Sequence, residues 1–174
     1  MTGGDDSAKA SETPESFLPG ADHACFLCRA AASQADPAVA DRANLVIARD
    51  EQVVTLLNRY PYTNGHLLVA PRRHVGGLHE LSSGEHLAAM HLLGYLTQKM
   101  SKLLKAEGFN IGLNLGRVAG AGVPGHLHWH LVPRWQGDNN FMPTVAGTHV
   151  ISQSLEALWE GLRQGTTCEG DHGP

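Results

Sequence analysis

The chain has 174 residues, the size of one ordinary domain, which leaves little room for two independently packed cores. Hydrophobic residues make up 42% and charged residues only 17%, which excludes a disordered or fibrous chain. Thirteen Lys and Arg against seventeen Asp and Glu leave a net charge of −4, so there is no global positive field to hold nucleic acid, and no run approaches the ~18 apolar residues of a membrane span.

In chain order, residues 1–20 are small, polar and acidic and are expected to form a disordered arm; residues 21–164 form the folded domain and 165–174 a second loose end. Arg29 to Gln34 reads as a short helical turn stopped near Pro37. Leu45–Ala48 and Val53–Leu57 flank Arg49–Gln52 as a hairpin. Tyr60–Gly65, with its Pro and Asn-Gly, is a turn before a strand over His66–Ala70. Ser82 and Glu85 have the spacing of a capping box, and apolar residues from Leu87 to Leu104 recur at helical intervals, which predicts one long helix over about Gly84–Glu107 ended by Gly108. A strand over Asn110–Asn114, a glycine-rich loop over Leu115–Gly125, a strand over Leu127–Val132 and a helix over Ser152–Arg163 complete the order. Strands in the middle with helices beside them predict an α+β fold, an antiparallel sheet with helices packed on it.

The sharpest feature is His126-Leu127-His128-Trp129-His130. In a strand, alternate side chains share a face, so the imidazoles are presented on one side and Leu127, Trp129 and Leu131 anchor the other. Successive imidazoles start ~6.6 Å apart, a line and not a cage, so the three do different jobs. A half-exposed strand that uses histidine as its polar residue is one reading of the run. A His-x-His metal site that activates water or stores metal is another. Cys25 and Cys28 form a close pair and Cys168 is left over; so sparse and odd a set argues against a disulfide framework. Such a pair serves either a redox couple or a metal, and spacing alone does not choose among His66, His74 and His79 as further ligands.

These residues resemble the histidine triad (HIT) family, whose signature is three histidines alternating with hydrophobic residues. The likeness runs from Cys25-Phe26-Leu27-Cys28 through Leu57-Asn58, Gly65–Pro71 and His74, Asn110–Gly116 and the triad to Pro133-Arg134. It implies the HIT-like fold, a homodimer paired through sheet and long helix, and nucleotidyl chemistry at the α-phosphate through a covalent nucleotidyl-histidine. The middle histidine, His128, becomes the nucleophile, since a neutral imidazole offers a nucleophilic nitrogen at pH ~7. His130 becomes the donor to the phosphate, and the backbone around Gly120 and Gly122 its cradle. Asn58, His66 and Asn114 match positions lining the nucleotide pocket, and Arg134 is a candidate polyphosphate clamp. The resemblance also implies a structural zinc held by Cys25, Cys28, His74 and His126, with all four positions filled by protein. If zinc takes His126, protonation of a leaving group falls to His130, solvent or a divalent cation bound with the polyphosphate.

The Gly116–Gly125 stretch departs from the Gln-Ser/Thr-Val that precedes the triad in the phosphoramidase and hydrolase branches. His130 to Phe141, with Trp135-Gln136-Gly137-Asp138-Asn139-Asn140-Phe141, is similar instead to bacterial phosphorylase-type members. The expected activity is therefore cleavage of dinucleoside polyphosphates of the diadenosine tetraphosphate kind, leaning to phosphorolysis. Arg117, Arg134 and Asn140 are candidates for a second anion site. The alternatives are hydrolysis of dinucleoside polyphosphates or nucleoside phosphoramidates, and a non-catalytic nucleotide- or metal-binding protein. The expected setting is cytoplasmic, because Met1–Glu15 has no basic-then-apolar leader pattern, and neither nucleic acid nor membrane is an expected partner.

Overall fold

The computed structural model describes residues 14–138 and 154–164. Helix α1 (Phe26–Ala31) and helix α2 (Pro37–Asn44) precede a hairpin of β1 (Val46–Arg49) and β2 (Val53–Leu57). Strand β3 (Leu67–Pro71), the long helix α3 (Ser83–Leu104), β4 (Gly108–Leu113), β5 (Trp129–Arg134) and helix α4 (Leu155–Arg163) follow. The five strands form one antiparallel sheet in the order β1-β2-β3-β5-β4. None of the described helices is long and apolar enough to cross a membrane.

Local chemistry explains most of the boundaries. Asp50 closes the hairpin by accepting the N–H groups of Gln52 and Val53 at 2.7 Å each. Gly65 sits at φ 81°, the left-handed conformation that favours glycine, and so turns the chain into β3. Pro37 departs from expectation, because it opens α2 instead of stopping a helix. The Asp36 carboxylate caps the N–H groups of Ala38 and Val39, and proline at the first helical position gives up an N–H that has no partner there anyway. The preceding helix likewise starts at Phe26 and not at Arg29. Gly108 does not end α3. Lys105 takes the left-handed turn at φ 54°, and Glu107 already donates its N–H to the Arg134 carbonyl, so Gly108 opens β4. The last helix starts at Leu155 because Ser154 caps it through the Ala157 N–H.

At the start of α3 the predicted capping box forms: the Glu85 N–H donates to Ser82 Oγ at 3.2 Å and the Ser82 N–H to Glu85 Oε2 at 2.8 Å. Arg73 also grips Glu85 through Nε and Nη2 at 2.8 and 2.7 Å. That grip, with the Ser82 donors against the opposing effect of burial, holds the carboxyl down to about 2 from an ordinary 4.5. A depressed carboxylate stabilises the fold fully above its unfolded value and loses that contribution as pH falls through its folded one. Glu85→Gln is therefore expected to melt below the wild type at pH ~7, with the gap closing between pH 4.5 and about 2. Thermal scans across that window check it, and a pH-independent gap would remove the charge argument.

The sheet has two covered faces. Leu57, Val69, Leu127, Trp129 and Leu131 pack against Leu93, Leu96 and Met100 of α3 and Leu158 and Leu162 of α4. Val54, Leu56, Leu68 and Ala70 point the other way, toward Leu27 and the two cysteines of the N-terminal segment. Trp159 Nε1 donates to the Val46 carbonyl at 2.8 Å, which fastens α4 to β1, and Arg163 meets buried Asp41 at 2.7 Å, which fastens it to α2. Residues 14–20 fall within the segment read as a loose arm, yet Ser16 and Ser33 form a backbone bridge. Residues 1–13, 139–153 and 165–174, with Asn140, Phe141 and Cys168 among them, lie outside the described residues.

Candidate active site

The triad run enters β5 from the glycine-rich loop. The regular ladder begins only at Trp129, but Leu127 already donates its N–H to the Val75 carbonyl at 2.7 Å, so the alternation expected of a strand extends back through His126. Leu127, Trp129 and Leu131 lie in the core. The pairing of His130 with Leu68 puts the histidines on the face opposite α3.

The three imidazoles do separate into different jobs. His126 is fully buried and turns to the cysteines: its Nδ1 lies 3.4 Å from both Cys25 Sγ and Cys28 Sγ. Its Nε2–H donates to the Pro71 carbonyl at 2.8 Å, so a lone pair on Nδ1 faces the thiols. Cys28 Sγ is also 3.2 Å from His74 Nδ1. The donor atoms of Cys25, Cys28, His74 and His126 all lie within 4.8 Å of one another, a cluster able to hold a metal ion. Burial pushes the Cys28 thiol up to about 11 and the His126 imidazole down to about 4. A Cys28 thiolate is therefore favoured by the charge of a nearby cation, and two sulfurs with two imidazole nitrogens suit a soft, tetrahedral one. Among the three histidines that spacing left open, His74 joins the cluster, as the resemblance implies, while His66 lies against His130.

His128 is nearly buried and donates Nδ1–H to the His126 carbonyl at 2.8 Å. That bond fixes the tautomer and leaves the lone pair on Nε2. His130 stands beside it, with ring centroids 5.1 Å apart. His130 Nε2 is buried without a hydrogen-bond partner among the described residues. An orphaned buried ring nitrogen at this position is what a site keeps for a ligand.

His66 departs from the expectation that it lines a nucleotide pocket. It has no exposed surface and lies behind His130, with Nε2 2.9 Å from His130 Nδ1. Asn58 turns its amide nitrogen to His66 Nδ1 at 3.2 Å while its oxygen accepts the Tyr60 N–H. Burial, then the charges of His130 and His128, hold His66 down to about 3. Asn114 donates to the Gly120 carbonyl at 3.4 Å and thereby ties the loop. Gly120 needs its left-handed φ of 89° there, a conformation costly for other residues. Gly122 is exposed on the same loop.

Arg134 is a second departure. Its Nε and Nη2 bond Asp138 at 2.5 and 2.8 Å, and its Nη1 bonds Asn110 at 2.6 Å. The guanidinium is engaged in the turn after β5 by Asp138 and Asn110, partners that the clamp expectation did not include. Of the other two candidates for a second anion site, Arg117 is exposed on the loop and Asn140 falls outside the described residues. The sequence reading missed Tyr62, whose ring packs on His66 and stacks on His130 with centroids 4.6 and 5.9 Å apart. Its position in a Pro-Tyr-x-Asn-Gly turn was the only signal. The Pro71 and His126 carbonyls act through the main chain and leave no sequence signal at all.

Comparison with known proteins places this geometry. The chain is 42% identical over 119 residues to an AP-4-A phosphorylase of Mycobacterium tuberculosis, covering 68% of this chain and 61% of that protein. It is 33% identical over 93 residues to the asymmetrical bis(5′-nucleosyl)-tetraphosphatase of Schizosaccharomyces pombe, covering 53% and 50%. The chain thus spans about three-fifths and one-half of the lengths of these relatives. A crystal structure of a Zn-bound histidine triad family protein from Mycobacterium smegmatis superposes with a TM-score of 0.58 at 28% identity, over 69% of this chain and 81% of that one. The HIT domain family model matches residues 40–137, more than half of the chain, and with the triad, sheet and cluster in place the chain belongs to the HIT domain family.

Proposed function

We propose that the chain cleaves dinucleoside polyphosphates, of the diadenosine tetraphosphate kind, by two-step nucleotidyl transfer through His128. The observation that carries this is the pair of imidazoles on one face: His128 with its proton held by the His126 carbonyl, and His130 beside it with an Nε2 that has no partner among the described residues. His128 Nε2 attacks the α-phosphorus; the N–P bond forms, the anhydride O–P bond breaks, and the departing nucleotide oxygen keeps the electron pair. The adenylyl-imidazole is cationic, and the His126 carbonyl stabilises its Nδ1–H. Inorganic phosphate then attacks the same phosphorus, releases ADP and restores His128. His130 and the amides around Gly120 and Gly122 hold the non-bridging oxygens, where transition-state charge gathers. Asn114 shapes that loop, and Asn58 and His66 act from behind His130. A divalent cation travels with the polyphosphate.

The metal in this reading is zinc, held by Cys25, Cys28, His74 and His126, and its role is structural because protein donors fill its four positions. The named activity of the Mycobacterium tuberculosis relative and the run after the triad both support phosphorolysis over hydrolysis. The catalytic unit is residues 21–164, working in the cytoplasm as a homodimer. Edge strand β4, with Ile111 about half exposed, and the exposed Met90 and Tyr95 of α3 support that pairing; light scattering of the intact chain tests it, and a monomer would rule it out.

The assay for the activity is incubation with diadenosine tetraphosphate, with and without inorganic phosphate, and separation of the products. ADP formed only with phosphate is the expected result. AMP and ATP formed regardless of phosphate would mean hydrolysis, and no cleavage at all would move the chain to phosphoramidate substrates or to binding alone.

A further inference from the structure

The hydrogen bonds behind His130 have a direction that the geometry decides. The Tyr62 backbone N–H donates to His66 Nδ1 at 3.1 Å, and a main-chain N–H can only donate. His66 Nδ1 therefore carries a lone pair, which the Asn58 amide N–H also meets, and the ring proton sits on Nε2. That Nε2–H donates to His130 Nδ1 at 2.9 Å, so the proton of His130 is on its own Nε2. This is the buried nitrogen without a partner among the described residues. The Tyr62 ring packs against both imidazoles, with centroids 4.6 and 5.9 Å away.

The same chain limits what His130 can do. To release its Nε2 proton to a leaving group and stay neutral, His130 must gain a proton on Nδ1. His66 would have to supply it and refill its own Nδ1 from the Tyr62 amide, which does not ionise near neutrality. A proton placed on His130 Nδ1 from elsewhere would face the His66 Nε2–H across 2.9 Å. Burial and the charges of His130 and His128 already hold His66 down to about 3, and burial with the His128 charge lowers His130. Neither ring stores a spare proton. We propose that Tyr62, Asn58 and His66 lock His130 as a hydrogen-bond donor that keeps its proton, so the site expels leaving groups that depart as anions, such as nucleoside polyphosphates, far faster than alkylamines. An anhydride oxygen leaves as a weakly basic anion and needs only charge stabilisation, whereas an alkylamine must be protonated as its P–N bond breaks. His66 is on this argument a positioning residue, and the leaving-group preference rests on the nucleotidyl-transfer reading of the site.

Two measurements on the intact chain test it. In the first, adenosine 5′-phosphoryl compounds with polyphosphate, phenolate and alkylamine leaving groups are assayed side by side. The expected rate with the alkylamine is lower than with the polyphosphate by ~100-fold or more, the usual reach of a missing general acid. Equal rates overturn the proposal. The second needs no substrate: nitrogen NMR of labelled histidine reads the tautomer of His130. The Nε2–H form is expected in the wild type and a mixture in His66→Phe, which keeps the ring volume but removes the donor. His66→Gln, which retains an amide donor, is expected to restore part of the lock and serves if the phenylalanine variant does not fold. An Nδ1–H tautomer in the wild type overturns the lock whatever the assay shows. If none of the compounds is cleaved while the tautomer is as expected, the nucleotidyl-transfer reading fails and takes the leaving-group preference with it.

Discussion

Replacing His128 by asparagine is expected to lower turnover by ~10⁴-fold or more, the scale on which removal of a covalent nucleophile is felt, with little change in melting temperature. The fold is spared because, among the described residues, the His128 side chain makes a single hydrogen bond, Nδ1–H to the His126 carbonyl, and the asparagine amide offers an N–H toward the same acceptor. Its neighbours in the core, Leu127 and Trp129, belong to the opposite face and are untouched. Chemistry is lost because the amide has no nucleophilic lone pair to replace Nε2. Wild-type protein quenched in alkaline denaturant, which spares the acid-labile N–P bond, should yield an adenylylated peptide that includes His128, and the variant should yield none. A variant that still turns over would sink the nucleophile assignment. Unfolding of the variant would show only that the substitution was poorly chosen, and His128→Gln, with the same amide on a longer stem, then decides.

Patterns that repeat along the chain were legible before the fold was known. The alternation through His126–His130 told which face each imidazole takes, and Ser82 with Glu85 marked the start of α3. Boundaries set by one residue's backbone were not legible. Lys105 has no intrinsic claim on a left-handed turn, and it takes one because β4 must begin pairing with β5. Pro37 reads as a stop or a start depending on whether Asp36 folds over the next amides, which only the structure decides. Side-chain allegiance was the harder part of the site. Arg134 looked like a free cation after the triad, yet Asp138 lies one turn further on and Asn110 sits on the neighbouring strand, so the charge is spent within the fold. His66 and His128 are the same residue type at the starts of adjacent strands. One backs a neighbour and the other keeps a lone pair on Nε2, because Tyr62 and Asn58 supply donors to the first and the His126 carbonyl an acceptor to the second.

Removal of the zinc proposed for the cluster of Cys25, Cys28, His74 and His126 is expected to cost stability far more than chemistry. Cys25 and Cys28 belong to the short N-terminal segment and the start of α1, whereas His74 follows β3 and His126 precedes β5. One ion joining these four donors fastens the N-terminal segment to the centre of the sheet. An ion that binds only the folded chain stabilises it by about 4 kcal/mol when its free concentration exceeds Kd a thousandfold. For a domain of this size that amounts to roughly 10 °C in melting temperature. A strong chelator, or Cys25→Ser, should produce a fall of that order, and readded zinc should reverse it only in the wild type. His126 keeps a second anchor without the ion, since its Nε2–H bonds the Pro71 carbonyl. The carbonyl that orients His128 therefore stays in place well below the melting temperature, and kcat measured there should fall by no more than ~3-fold, less than the loss of a typical ordering contact at a metal site. Elemental analysis of protein purified without added metal should find close to one zinc per chain. Protein that contains no zinc and melts alike with and without chelator would show that the four donors stabilise the fold through their mutual packing and not through an ion.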